Sequence, residues 1–142
     1  MKKLLTLCGI LLISSYVHAQ TGCAVYHKGY FKYSDSAGNT ILVHRKNKYQ
    51  YEDNRKTKVR TQYAIDWVTD CEYTLTQTLT NSTALKKYRN SSGKTVILKS
   101  DGDNGYYYNC MCNDDSGKGK ESFMKKITKE EYYQLFYPKL HQ

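Results

Sequence analysis

Val59-Arg60-Thr61-Gln62-Tyr63-Ala64-Ile65-Asp66-Trp67 is the stretch that decides the fold. Val59, Thr61, Tyr63, Ile65 and Trp67 fall on one parity, and Arg60, Gln62, Ala64 and Asp66 on the other. Side chains alternate across an extended chain, so this pattern makes a strand with one apolar face and one mostly solvated face. A tight turn at Thr69-Asp70 then opens a second alternating run, with Cys71, Tyr73, Leu75 and Leu79 against Glu72, Thr74, Thr76 and Thr78. Trp67 and Cys71 are expected to face the same core.

Upstream, Gly29 to Tyr33 reads as a strand closed by the turn-rich Ser34-Asp35-Ser36-Ala37-Gly38-Asn39. Thr40 to Arg45 is rich in β-branched residues, and the Lys46-Asn47 turn leads into Lys48-Tyr49-Gln50-Tyr51-Glu52, a hairpin of half-buried strands. Downstream, Asn81 to Gly93 is a polar loop in which Ala84 to Tyr88 has the composition for a helical turn. Lys94 to Lys99, Tyr106 to Cys112 and Glu121 to Ile127 are further strands, separated by Asp101-Gly102-Asp103-Asn104-Gly105 and by residues 113–120. The expected architecture is mainly β, an antiparallel meander of about seven or eight strands.

Only the last segment changes period. Thr128-Lys129-Glu130-Glu131 matches a capping box, in which the Thr128 hydroxyl and the Glu131 carboxylate satisfy backbone donors at a helix start. Tyr132, Tyr133, Leu135 and Phe136 supply an apolar face, and Pro138 closes the element. This short helix is expected to dock on the sheet or to cover an open end.

The chain begins with Lys2 and Lys3, an apolar run from Leu4 to Val17, and Val17-His18-Ala19 before Gln20. A basic head, a short apolar stretch and small residues at the cut site describe an export signal over residues 1–19, leaving one β-rich domain over 20–142. A secreted or periplasmic location follows. The alternative is an outer-membrane lipoprotein, for which Gln20-Thr21-Gly22-Cys23 offers a small residue and a cysteine, although Gln20 stands where an aliphatic residue is expected. Lipidation of Cys23 would exclude a disulfide there, and only in that case is a membrane partner expected.

There are 22 Lys and Arg against 13 Asp and Glu, for a net charge of +9. Without Lys2 and Lys3 the chain stays basic, with its charges scattered among acidic residues and not gathered into one anion-binding block. Of the five cysteines, Cys8 lies in the leader. Cys23, Cys71, Cys110 and Cys112 remain, enough for two disulfides in three possible pairings. Cys110 and Cys112 are two apart on one strand face, near the upper limit for a bridge, which favours pairing across strands over a local loop.

The succession Cys23, Gly29-Tyr30-Phe31-Lys32-Tyr33, His44-Arg45, Tyr49-Gln50-Tyr51-Glu52 and Ile65-Asp66-Trp67-Val68-Thr69-Asp70-Cys71-Glu72-Tyr73-Thr74-Leu75 resembles a family of small exported proteins, mostly of Bacteroidota-type bacteria. Their pattern reads Cys, Gly-x-Phe-x-Tyr, a basic and aromatic hairpin, and Trp-x-x-Asp-Cys-Glu-Tyr-x-Leu. The resemblance spans roughly the first two thirds of the domain. It implies a lipocalin-like partial barrel of unestablished function, with Cys23 bridged to Cys71. The Tyr106 to Cys112 strand departs from the pattern, so the partners of Cys110 and Cys112 stay open.

Chemistry-bearing residues are sparse. Asp70 and Glu72 flank Cys71 and point to the outer face, which suits solvated residues better than a catalytic dyad. The Asp101 to Gly105 segment lacks the third oxygen ligand and distal glutamate of a calcium loop and reads as a hairpin turn. His27 and His44 have no nucleophile motif beside them and no metal-site spacing to the cysteines. No catalytic residue, metal site or cofactor is expected.

The best hint of binding is the fifteen tyrosines, with Tyr106, Tyr107 and Tyr108 in succession, together with Trp67. The reading is an exported, non-enzymatic barrel-like protein that binds a small ligand or an envelope partner, and no nucleic acid. The alternatives are a small hydrolase or thiol redox enzyme using His27, His44 or the Cys110 and Cys112 pair, and a structural or inhibitory interaction protein.

Overall fold

A computed structural model of the protein describes residues 22–111 and 121–138. The expected leader and Cys112 lie outside these residues. A one-turn 3-10 helix, Cys23–Tyr26, precedes the strands β1 (Gly29–Ser34), β2 (Thr40–Arg45), β3 (Tyr49–Asn54), β4 (Arg60–Thr69), β5 (Glu72–Thr80), β6 (Ser92–Ser100), β7 (Gly105–Met111) and β8 (Glu121–Ile127). An α-helix, α1 (Lys129–Phe136), follows. All eight strands are antiparallel neighbours in sequence order, and β8 returns to β1 to close the barrel. Closure, expected only in part, is completed by a short seam in which Tyr30, Phe31 and Lys32 face Ile127, Lys126 and Lys125.

Local chemistry explains the turns. Between β1 and β2 the Asp35 carboxylate accepts from the amides of Ala37 and Asn39 at 2.9 and 2.8 Å, which makes a compact Asx-type turn. Gly105 opens β7 at a φ of 137°, and a Cβ there would lie 2.0 Å from the Met124 carbonyl oxygen. Only glycine permits that approach of β7 to β8.

Alternation places the core. Phe31, Val43, Ile65, Tyr73, Ile97, Tyr106 and Met124 fill the interior, and Trp67 and Cys71 pack against it together, as their shared parity predicts. Leu79 is a correction. A bulge between Gln62 and Tyr63 of β4 sets Gln62 opposite Leu79 and Tyr63 opposite Gln77, so Thr78 is the extra residue. An extra residue reverses the parity beyond it. Gln77 keeps the inward parity of Tyr73 and Leu75, and Leu79, beyond the bulge, is 58% exposed.

Helix α1 docks on the outer face of the sheet, where Tyr132 is buried against Leu42 and Ile127 with Tyr30 and Phe136 beside them. Half of the expected capping box forms. The Glu131 amide donates to Thr128 Oγ1 at 3.1 Å, but the Glu131 carboxylate is taken by Lys32 Nζ of β1 at 2.8 Å, an ion pair that ties helix to barrel. The buried face is also narrower than the apolar run predicts, since Tyr133 and Leu135 remain exposed. At the other helix end, Arg55 donates to the carbonyls of Leu135 and Phe136 at 3.1 and 2.6 Å and pairs with the buried Asp53 at 2.6 Å. A cation at a helix C-terminus satisfies orphan carbonyls and opposes the negative end of the dipole.

Candidate functional site

The two ends of the barrel differ. At one end the Cys23–Tyr26 helix forms a plug, fixed by a disulfide from Cys23 to Cys71 with a Cα–Cα distance of 5.0 Å. This is the pairing that the family resemblance implies, and a disulfide is the chemistry of an oxidising compartment. Tyr26 is fully buried, and its hydroxyl lies 2.8 Å from the carbonyls of Gly102 and Gly105 and 2.5 Å from Ser100 Oγ.

Above the plug sits Arg45, 1% exposed. Its Nε donates to Gln50 Oε1 at 2.8 Å, one terminal nitrogen to the Tyr26 carbonyl at 2.8 Å, and the other to the hydroxyls of Tyr73 and Tyr106 at 3.1 and 2.9 Å. The guanidinium carbon also lies 4.7 Å from the Tyr73 ring centroid and 5.1 Å from that of Phe31. Burial alone disfavours its charge, but the Tyr106 and Tyr73 hydroxyls more than offset this, and Arg45 stays protonated.

At the other end the barrel opens into a cavity of about 400 Å³. β1 contributes Tyr33, β3 contributes Gln50 and Glu52, β4 contributes Tyr63, and β7 contributes Tyr108. These are the inward positions of their strands near the rim. Gln77, inward on β5 next to the bulge, donates from its amide nitrogen to the Leu85 carbonyl at 2.8 Å, while its backbone bonds to Asn90 and Ser91. That pins the 81–91 loop over the mouth and brings Leu85 and Tyr88 into the lining.

Glu52 is the acidic group of this cavity. Its Oε1 accepts from Gln50 Nε2 at 2.7 Å and its Oε2 from the Tyr33 hydroxyl at 3.0 Å. Gln50, itself 1% exposed, thus bridges the buried cation and the carboxylate. Burial pushes the Glu52 carboxyl above its ordinary range, against the lowering effects of the Gln50 and Tyr33 hydrogen bonds and the Arg45 charge. The phenols of Tyr33, Tyr63 and Tyr108 are raised in turn by burial, with the Glu52 charge adding to the shift in each, and they stay protonated at neutral pH.

A raised carboxyl pKa means that the folded state holds the Glu52 proton more tightly than the unfolded chain does. The stabilisation by protonated Glu52 is therefore complete below the ordinary value of 4.5 and is lost as pH rises through the higher folded value. Glu52→Gln is expected to be at least as stable as the parent at pH 7, with an advantage that vanishes at acidic pH. Urea unfolding of both proteins between pH 3.5 and 7.5 measures the difference, and a variant that is less stable at pH 7 would contradict it.

Of the four aromatic residues expected to bind, Tyr106, Tyr108 and Trp67 belong to one interior cluster and Tyr107 stands outside it. Tyr108 lines the cavity, Tyr106 is buried beneath it in the Arg45 cluster, and Tyr107 stands on the outer face against Phe123 with ring centroids 4.8 Å apart. Trp67 stacks on His27 at the plugged end, centroids 3.6 Å apart, and its indole nitrogen is buried without a hydrogen-bond partner. His27 Nε2 contacts the Asp70 carbonyl at 2.9 Å, whereas His44 stacks on Tyr30 outside the barrel. Glu72 pairs with Lys94 at 2.5 Å, and Cys110 is disulfide-bonded. Among the described residues, no three of His, Cys, Asp or Glu gather where a metal ion could be held.

Glu52, Tyr33, Tyr63 and the Arg45 cluster are the residues that sequence reasoning passed over as a site. A usable signal was present in Tyr49-Gln50-Tyr51-Glu52, where the polar pair shares the inward parity and the aromatics take the outward one. Fold and site together define a closed, eight-stranded antiparallel barrel, plugged at one end and hollow at the other. Compared with protein-family models, curated proteins and solved structures, the chain matches none.

Proposed function

We propose that this chain is an exported, non-enzymatic, lipocalin-like protein that holds a small ligand in the open-end cavity. The observation that carries the reading is the asymmetry of the interior: one end is filled and cross-linked, while the other leaves about 400 Å³ lined by tyrosines and a few convergent polar groups. Apolar and aromatic walls with sparse fixed polar atoms are what small-molecule sites share. Export, and kinship with the small Bacteroidota-type proteins, rest on residues 1–19 and on the motifs from Cys23 to Leu75. The Cys23–Cys71 bridge supports simple cleavage over lipidation, because one sulfur cannot carry both bonds.

Titration with the fluorescent probe 1-aminoanthracene tests the reading. Saturable one-to-one enhancement is expected, and Leu85→Trp, which enlarges a side chain over the mouth, should weaken it about tenfold or more, as loss of a close-fitting apolar contact does. Absence of saturable binding by the folded protein would overturn the cavity as a ligand site.

A further inference from the structure

The described lining of the cavity places an acidic group in a basic protein. The chain has a net charge of +9, yet among the described residues no lysine or arginine lines the open-end cavity. Among the described lining residues Glu52 is the one carboxyl group, the phenols of Tyr33, Tyr63 and Tyr108 are raised by burial and keep their protons, and Cys110 is disulfide-bonded. We propose, on the reading that this cavity is a ligand site, that it selects an organic cation: a protonated amine on an aromatic or apolar body, with the Glu52 carboxylate as counter-ion.

Three features support that choice. A carboxylate accepts about four hydrogen bonds, and Gln50 and Tyr33 supply one each, which leaves acceptor capacity for an ammonium group. The flanking walls are the rings of Tyr33, Tyr63 and Tyr108, whose faces attract cations and whose neutral hydroxyls can accept from N–H donors. Apolar groups of Leu75 and Met124 complete a lining suited to the body of such a molecule. Among the described lining residues an anionic ligand has no comparable partner. The buried cation Arg45 is sealed beneath the cavity with its three nitrogens bonded to Gln50, Tyr26, Tyr73 and Tyr106.

Tryptamine, tryptophol and indole-3-propionate share one aromatic body and differ in charge, so calorimetric titration of the intact protein with the three separates charge from shape. At pH 7 tryptamine is expected to bind with one-to-one stoichiometry and at least about tenfold more tightly than tryptophol, with indole-3-propionate weakest, the range of a charge-assisted hydrogen bond. Glu52→Gln should bring tryptamine down to the tryptophol level and leave tryptophol within about twofold.

Should that variant not fold, the parent protein supplies the same test through pH. Among the described residues, the groups that face Glu52 are Tyr33 from β1, Arg45 from β2, Gln50 beside it on β3, Tyr63 from β4 and Tyr108 from β7. None of these five titrates between pH 7 and 4, whereas Glu52 gains its proton as pH falls into the raised carboxyl range. Tryptamine affinity should therefore fall over this interval while tryptophol affinity holds. Equal affinity for the three probes, or a preference for the anion, overturns the cation assignment and leaves the cavity standing as a ligand site. Failure of all three also overturns it, and the aminoanthracene titration then decides separately whether the cavity binds ligands at all.

Discussion

Replacing Arg45 by methionine is expected to lower the unfolding free energy by about 3 to 5 kcal/mol, the range for removing one member of a buried charged network. Methionine fills similar apolar volume, so the cost comes from what loses a partner. The Tyr26 carbonyl, Gln50 Oε1 and the hydroxyls of Tyr73 and Tyr106 all accept from this one guanidinium. A buried acceptor left without a donor costs about 1 to 3 kcal/mol. The two hydroxyls already lie 3.3 Å apart and can bond to each other, which recovers part of the loss. Gln50 and Glu52 have no such recourse. With the cation gone, the Glu52 carboxylate keeps its desolvation cost and loses a compensating charge. Glu52→Gln should therefore be more favourable in the Arg45→Met background than in the parent. Urea unfolding of the two single variants, the double variant and the parent measures this coupling. A loss below about 1 kcal/mol for Arg45→Met would show that the network adds little to stability.

The same cluster shows where sequence reading stops. Strands are legible because their signals are local: a two-residue period in β4, β-branched residues in β2, and turn residues such as Asp35, whose carboxylate accepts from the backbone amides of Ala37 and Asn39. The start of α1 is legible for the same reason, through Thr128 and the amide three residues on. The fate of Glu131 is not, because its ion-pair partner, Lys32, stands 99 residues earlier in the chain. Arg45 is misleading by composition, since arginine is rarely buried without partners, and its partners here come from the plug and from β3, β5 and β7. Glu52 becomes a cavity residue only through the barrel's register, which brings Tyr33 of β1 across β2 to it. Leu79 leaves the inward face through one bulged residue, Thr78, a backbone event that hydropathy does not record. Local physics thus wrote the elements and much of the core, whereas the candidate site is assembled from contacts between strands.

Removal of the Cys23–Cys71 bridge by the double replacement Cys23→Ala, Cys71→Ala is expected to cost about 4 kcal/mol, the chain-entropy value for a link between residues 48 apart. The effect should arise largely in the unfolded chain, because the plug has other anchors in the folded one. The Tyr26 hydroxyl stays among Ser100, Gly102 and Gly105, its carbonyl still accepts from Arg45, and His27 still stacks on Trp67 and contacts the Asp70 carbonyl. The two origins leave different signatures. An unfolded chain released from a cross-link exposes more surface, so the dependence of unfolding free energy on urea should steepen as stability falls. Near-UV circular dichroism, which reads the packing of the tyrosines and Trp67, should change little below the transition. A variant that loses the expected stability with an unchanged urea slope and an altered near-UV spectrum would place the effect in the native plug. The bridge would then be an organiser of the Arg45 cluster more than a restraint on the unfolded chain.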